Sequence, residues 1–341
     1  MINFEHYNAR STGDALSALD HYGEGARLLA GGQDILFRIK KYLVQPKCVI
    51  NLKTIPGLNY IRQNVENHLC IGALTTLSEI ARCAELKQSY AALAQAAGVV
   101  ASPQIRNMGT LAGNICQDVW CWYLQDGFSC WKSGGQFCDL AGGDSRHYGS
   151  IMGGHLCLSN HPSDTAVALA ALDAKIHVAS ARGSRVASMG EFLCGHNWVG
   201  PRLQSHTLAL DEMVTEIEVP FRPTRSTYVK FALRKSWDFA IASVAVSAVI
   251  QERVWTDLRI VLGGAATFPY RCTDAEDFLR GTPMSEDRAL AAADAALARA
   301  KPLRMNQYKV ALSKTLVRRA LLSLNEKSSP YPGQDPSLRS G

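Results

Sequence analysis

Between Asn114 and Pro162 the chain runs for more than 40 residues without the apolar period of a helix or a strand, and this stretch holds Cys116, Cys121, Cys130, Cys138 and Cys157, five of its ten cysteines. An irregular segment of that length inside a compact chain needs a ligand or a function to hold it. The opening residues, Met1-Ile2-Asn3-Phe4-Glu5-His6, lack the basic, apolar and small-residue order of a secretion signal. No apolar run approaches the roughly 18 residues of a membrane span. The expectation is therefore a cytoplasmic chain with reduced thiols and no membrane insertion, whose clustered cysteines bind metal rather than form disulfides. Export alongside a signal-bearing partner is the alternative.

Cys121, Cys130, Cys138 and Cys157 are separated by 8, 7 and 18 residues, unlike the paired Cys-x-x-Cys of a zinc ribbon. Long gaps suit a loop wrapped around a cluster, because a four-iron cluster needs only that its four thiolates converge. Spacing alone leaves an iron–sulfur cluster, zinc and no metal all open. Cys116 ranks fifth, and His147, His155 and His161 read as hydrogen-bonding loop residues.

Periodic segments flank the loop. The first unit reads as helix Asp14–Tyr22, strand Ala26–Leu29, helix Ile35–Tyr42 and strand Cys48–Leu52. A second carries a strand near Leu69–Ile71, a helix after Thr75-Thr76 and an alanine-rich helix Tyr90–Val100 that stops before Pro103. Beyond the loop, Ser163 or Asp164 caps an apolar helix Ala166–Leu172 that leads into strand Lys175–Val178. From Pro220 on, strands Tyr228–Arg234, Ser243–Ile250 and Leu258–Leu262 precede helices Arg288–Ala300 and Val310–Leu324, an α+β order. The Ser-, Pro- and Gly-rich tail 326–341 reads as disordered.

Two glycine turns draw attention. Leu28-Leu29-Ala30-Gly31-Gly32-Gln33-Asp34 places two glycines between a strand and a helix, where bare backbone N–H groups can approach a phosphate. The second, Ser102 to Asn114, combines Gly109 and Gly113 with polar donors at Ser102, Thr110 and Asn114. Each alone is also an ordinary turn. Neither matches Gly-x-Gly-x-x-Gly, which disfavours a Rossmann NAD site. The +6 net charge is dispersed among acids, so nucleic acid is not an expected partner.

With these residues together, the chain resembles the FAD-binding subunits of the xanthine dehydrogenase family of molybdenum hydroxylases, especially the middle subunit of three-subunit bacterial aldehyde oxidoreductases. The likeness spans nearly the whole chain. It is carried by Leu28–Asp34, Ile71–Thr76, Ser102–Asn114, Cys121-Trp122-Tyr123, His161–Asp164, Lys230–Asp238 and Arg259–Tyr270. The resemblance implies an α+β fold with a two-part FAD-binding domain of the vanillyl-alcohol-oxidase (PCMH) type and a C-terminal α+β domain. The expected boundaries are 1–57, then 58–220 with the cysteine loop 115–161 inserted, then 221–325.

It further implies that the pyrophosphate of FAD lies against Leu28, Leu29, Ala30, Gly31, Gly32, Gln33 and Asp34 and against Gly109, Thr110, Gly113 and Asn114, with Thr76 and Ser102 alongside. Asp164 would serve the adenosine side and Lys230 the isoalloxazine; apart from the resemblance they read as a helix cap and a surface lysine. Relatives with this insertion hold a [4Fe–4S] cluster on a cysteine pattern that overlays Cys121, Cys130, Cys138 and Cys157. The implied partners are a large molybdopterin-binding subunit, a small [2Fe–2S] subunit and an external electron acceptor. No acid, base or nucleophile is expected in this chain, because the cofactors supply the chemistry. Two alternatives remain: a reductive complex similar to 4-hydroxybenzoyl-CoA reductase, against which Arg146 stands where a cysteine is expected, and a flavin-free, metal-stapled structural subunit.

Overall fold

The structure is a computed structural model that describes residues 3–195, 197–199 and 202–326. The tail expectation therefore falls, from residue 327 on, outside the described residues. Three larger sheets form, one in each unit, and a separate two-stranded ribbon pairs Asn197–Val199 with Arg202–Gln204. In the first unit, helix Thr12–Tyr22 starts at Ser11, whose hydroxyl accepts from the Asp14 N–H at 3.0 Å, and buries Ala15, Leu16, Ala18 and Leu19 on one face. Strands Glu5–Asn8, Cys48–Asn51 and Ala26–Leu29 pair in parallel in that spatial order. Parallel pairing requires helical crossovers, and the short helix Ile35–Lys40 after the first glycine turn lies in one of them.

The second unit is an antiparallel sheet in which Met213–Val219 lies between Leu69–Gly72 and Lys175–Ser180, with Ile61–Gln63 and Gly183–Ser188 at the edges. Its two faces differ because side chains alternate along a strand. Leu69, Ile71, Ile176, Val178, Ile217 and Val219 point into the core with helices Leu77–Arg82 and Ala91–Gly98. The opposite face carries Cys70, Glu216 and Glu218.

The third unit is a sheet built from Arg225–Phe231, Ala242–Gln251, Val254–Gly263 and Tyr270–Arg271. Helices Thr273–Leu279, Glu286–Ala296 and Tyr308–Glu326 cover one side of it over Trp255 and its neighbours. The other side meets the second unit through small residues, namely Ala92, Ala96, Ala168 and Ala171 against Tyr228, Ala245 and Val261. Small side chains let the backbones approach closely: a Cβ on Gly263 would meet Val167 at 2.5 Å.

The cysteine loop bridges these units. It contains only short helical pieces, Trp122–Gln125 and Asp139–Ala141. Its later half is hydrogen-bonded to the third unit, with the N–H groups of Ile151 and His161 donating to the carbonyls of Ala265 and Ala266. The buried Lys309 ammonium reinforces this by donating to the carbonyls of His147, Gly149 and Gly264 at 3.2, 3.0 and 2.6 Å.

One boundary differs from expectation. The alanine-rich helix ends at Gly98, and Pro103 does not stop it but opens a new helix, Pro103–Met108, capped by Ser102. Proline is favoured at a first helical position because the N–H it lacks would have no partner there.

Candidate cofactor sites

The two glycine turns touch. A Cβ on Gly31 would lie 2.4 Å from the Met108 carbonyl oxygen and 2.8 Å from the Gly109 Cα, so only glycine fits where the two backbones meet. Gly32 follows with φ of +74°, a conformation glycine adopts without strain. Among the described residues, the main-chain N–H groups of Gly31, Gly32, Gln33 and Asp34 have no protein acceptor. These are the free donors an anion can use.

The second turn is built differently. The N–H groups of Gly109, Leu111, Ala112 and Asn114 donate to main-chain carbonyls of Ile105, Thr75, Ala73 and Thr110, and that of Gly113 to the Thr110 hydroxyl. These five amides are engaged within the chain, whereas the Thr110 N–H has no protein acceptor among the described residues. Ser102 and Thr76 are engaged as well. The Ser102 hydroxyl caps Pro103–Met108, and Thr76 forms a reciprocal capping box with Glu79. Both side chains thus satisfy helix N–H groups that would otherwise be unpaired.

Asn114 links the second turn to the third motif. Its Oδ1 accepts from the hydroxyls of Ser163 and Thr165, both at 2.6 Å, and these flank Asp164 at the start of helix Asp164–Ala171. The buried Asp164 carboxylate then accepts from Tyr228 at 2.5 Å and from Lys230 at 2.7 Å. Burial pushes the Asp164 carboxyl up, opposed by the Lys230 charge. Asp164 and Lys230, expected at the adenosine side and at the isoalloxazine respectively, stand together here as one ion pair. The Lys230 ammonium also donates to the carbonyls of Val99 and Asp238.

Beside Asp164 a recess is walled by Trp120, Tyr148, Phe239 and His161. Trp120 sits between Phe37 and Phe239, with ring centroids 5.1 and 5.2 Å away. These aromatics were not singled out in the sequence, and only the position of Trp120 beside Cys121 hinted at them. Near the first turn, burial pushes the Asp34 carboxyl up to about 6. Asp118 behaves oppositely: burial opposes ionisation, but Lys132 at 2.6 Å and Arg38 at 3.1 Å hold its carboxyl well below the usual range.

Cys121, Cys130, Cys138 and Cys157 line one cavity with Lys132, Tyr123 and Trp131. Cys116 is not among its lining residues. Main-chain N–H groups face the sulfurs: those of Leu124 and Tyr123 toward Cys121, Leu158 and Leu140 toward Cys138, and Ser159 toward Cys157. Such donors favour thiolate and are one of the levers on a cluster's potential. Burial nevertheless raises the thiols of Cys121 and Cys138, and pushes Cys157 up to about 12.

Among the described residues, the one trio of His, Cys, Asp or Glu ligand atoms lying within 4.8 Å of one another is Cys70, Glu216 and Glu218. Its acids are already paired, Glu218 with His68 at 3.0 Å and His177 at 3.3 Å, and Glu216 with Tyr60 at 2.6 Å. No three of the loop sulfurs lie within 4.8 Å of one another among the described residues.

The three-part α+β fold thus carries a free-amide glycine turn, an aromatic recess and a four-cysteine cavity. The comparisons name the class. Residues 2–119 and 129–222 match the FAD binding domain in molybdopterin dehydrogenase, and residues 227–324 match the CO dehydrogenase flavoprotein C-terminal domain. The match is interrupted at 120–128, the segment that carries Cys121.

The nicotine 6-hydroxylase medium subunit of Paenarthrobacter nicotinovorans is 30% identical over 272 residues, covering 80% of this chain and 78% of that one. The aldehyde oxidoreductase FAD-binding subunit PaoB of Escherichia coli (strain K12) is 30% identical over 294 residues, covering 85% and 88%. A carbon monoxide dehydrogenase structure from Hydrogenophaga pseudoflava superposes with a TM-score of 0.74 at 26% identity, covering 95% of this chain and 99% of that one. The chain belongs to the family of FAD-binding subunits of molybdenum hydroxylases and is an oxidoreductase subunit. Among the described residues no helix is long and apolar enough to cross a membrane.

Proposed function

We propose that this chain carries FAD and a [4Fe–4S] cluster in a complex with a large molybdopterin-binding subunit and a small [2Fe–2S] subunit. In that complex it passes electrons from substrate oxidation on the partner to an external acceptor. The observation that carries the reading is the contact between the two glycine turns, which leaves the N–H groups of Gly31 to Asp34 free beside an aromatic-walled recess. Those amides would hold the pyrophosphate. FAD, when bound, supplies the exchange between two-electron and one-electron transfer.

The donor set in the loop fits a cluster. Four cysteines share one cavity, and backbone amides face three of the sulfurs. Likeness to the aldehyde oxidoreductase subunit makes an aldehyde the proposed substrate of the partner. Ten free cysteines fit a reducing, cytoplasmic setting. Arg146 pairs with Asp144 instead of facing the cysteine cavity, which does not favour the 4-hydroxybenzoyl-CoA reductase-like alternative.

The test is quantification of iron, acid-labile sulfide and zinc per chain in the anaerobically purified complex. About four irons and four sulfides attributable to this chain are expected, lost in Cys121→Ala and Cys138→Ala. Zinc without iron would refute the cluster and leave the flavin assignment standing.

A further inference from the structure

One chain of charges, from the buried Lys132 through the part-buried Asp118 and Arg38, joins the two sites. Lys132, two residues after Cys130, has a side chain only 3% exposed and is the one cation lining the cysteine cavity among the described residues. Its ammonium donates to Asp118 at 2.6 Å and to the Leu203 carbonyl at 3.0 Å. Asp118 also accepts from the Ser205 hydroxyl at 3.1 Å and pairs with Arg38 at 3.1 Å. Arg38 stands one turn into helix Ile35–Lys40, its N–H bonded to the Asp34 carbonyl at 3.1 Å, and Asp34 ends the glycine turn with the free amides.

Four thiolates around a four-iron core carry net negative charge, so a buried cluster needs a cation near it. Lys132 occupies that position, but Asp118 also binds it. Asp118 held by two cations is a stable arrangement. Loss of one leaves a part-buried carboxylate partly uncompensated, and such a group moves or takes up water at considerable cost. Arg38 would then shift to follow Asp118, carrying with it the first turn of the helix and the amides before it.

We propose that Lys132 is a positioning residue shared by the two cofactor sites. It is the counter-charge of the group held by the cysteines, and through Asp118 and Arg38 it fixes the glycine turn, so that filling the cavity raises the affinity for FAD. The proposal rests on the cysteine and glycine-turn assignments above. Because coupling between two binding sites is reciprocal, bound FAD raises retention of the iron by the same factor.

The experiment uses the full-length chain in its complex, purified anaerobically, with FAD affinity read by flavin fluorescence before and after removal of iron by oxidation and chelation. Wild-type protein is expected to lose affinity for FAD on loss of iron by about 5- to 150-fold, the usual size of such couplings. In Lys132→Met and Asp118→Asn that difference shrinks toward none, and Lys132→Arg restores it. In Lys132→Met the cluster is also expected to become harder to reduce, followed by EPR during a redox titration, since a buried positive charge has gone.

Equal FAD affinity of iron-loaded and iron-free wild type overturns the proposal even if a variant fails to fold. Coupling that persists undiminished in both variants overturns the role of Lys132. Wild type that binds FAD but holds no iron removes the cysteine assignment and the coupling together, whereas iron and FAD present without coupling removes the coupling alone.

Discussion

Replacing Gly31 by alanine tests the cradle at its narrowest point. The new Cβ would stand 2.4 Å from the Met108 carbonyl oxygen, and real Cβ atoms essentially never approach within 3.0 Å, so the turns must part by at least 3.0 − 2.4 = 0.6 Å. Neither side yields easily. Gly109 is held by its own N–H to Ile105 at 2.7 Å and by its carbonyl to Leu77 at 2.9 Å, both within the second turn's framework. Overpacking of this kind costs about 1–3 kcal/mol. If the parted turn is the one that holds the pyrophosphate, the same energy appears as a loss of FAD affinity of about 5- to 150-fold, at about 1.4 kcal/mol per tenfold.

The assay is a flavin fluorescence titration at matched fold content by circular dichroism. Gly57→Ala is the control: its φ of +78° makes alanine strained there, but no atom lies within 4 Å of the new Cβ. It should destabilise folding by about 1–2 kcal/mol and leave FAD affinity unchanged. A folded Gly31→Ala protein with wild-type affinity would refute the reasoning.

Burial pushes His161 down to about 4 from 6.5, so its neutral form is the one the fold favours. Its contribution is complete above pH 6.5 and lost as pH falls toward 4, about 2 kcal/mol of it by pH 5; urea midpoints of wild type and His161→Gln at pH 7 and pH 5 should differ in slope, and parallel slopes would contradict this. Lys230→Met strands the buried Asp164 carboxylate and should cost about 3–5 kcal/mol of stability, whereas Lys230→Met with Asp164→Asn should cost less; the double variant being the less stable would show that the ion pair is not what matters. Lys309→Met removes the donor to three main-chain carbonyls at about 1–3 kcal/mol for each one left unsatisfied, and should speed amide exchange around 147–152 before the rest of the chain opens.

Local pattern made much of the fold legible. Strand Ala26–Leu29 ends where the glycine turn forces it to, and helix Asp164–Ala171 starts where Ser163 can accept from Ala166. The strand Met213–Val219 was missed. Its alternation of Glu216 and Glu218 with Ile217 and Val219 is a strand signal, but its partners Leu69–Gly72 lie more than 140 residues away, so nothing local marks it as central. The hairpin at Glu252 and Arg253 has φ of 48° and 69° at two residues that carry none of the usual glycine or asparagine cue.

The sites divide in the same way. Gly31 was visible because the backbone contact at that point admits nothing else. Thr76 with Glu79 spelled a capping box in the sequence, yet the resemblance cast Thr76 as a ligand. Arg38, Asp118 and Lys132 were invisible because isolated charges in a helix and an irregular loop reveal nothing until the fold brings them together.

The central claim is that this chain holds FAD. The most direct test is the amount of FAD released by acid from the purified native complex, per mole of this chain, together with the same measurement on the Gly31→Ala complex. The account predicts one FAD per chain in the wild type and substoichiometric FAD in the variant. A well-folded wild-type complex that releases no flavin and takes up none on reconstitution would contradict it.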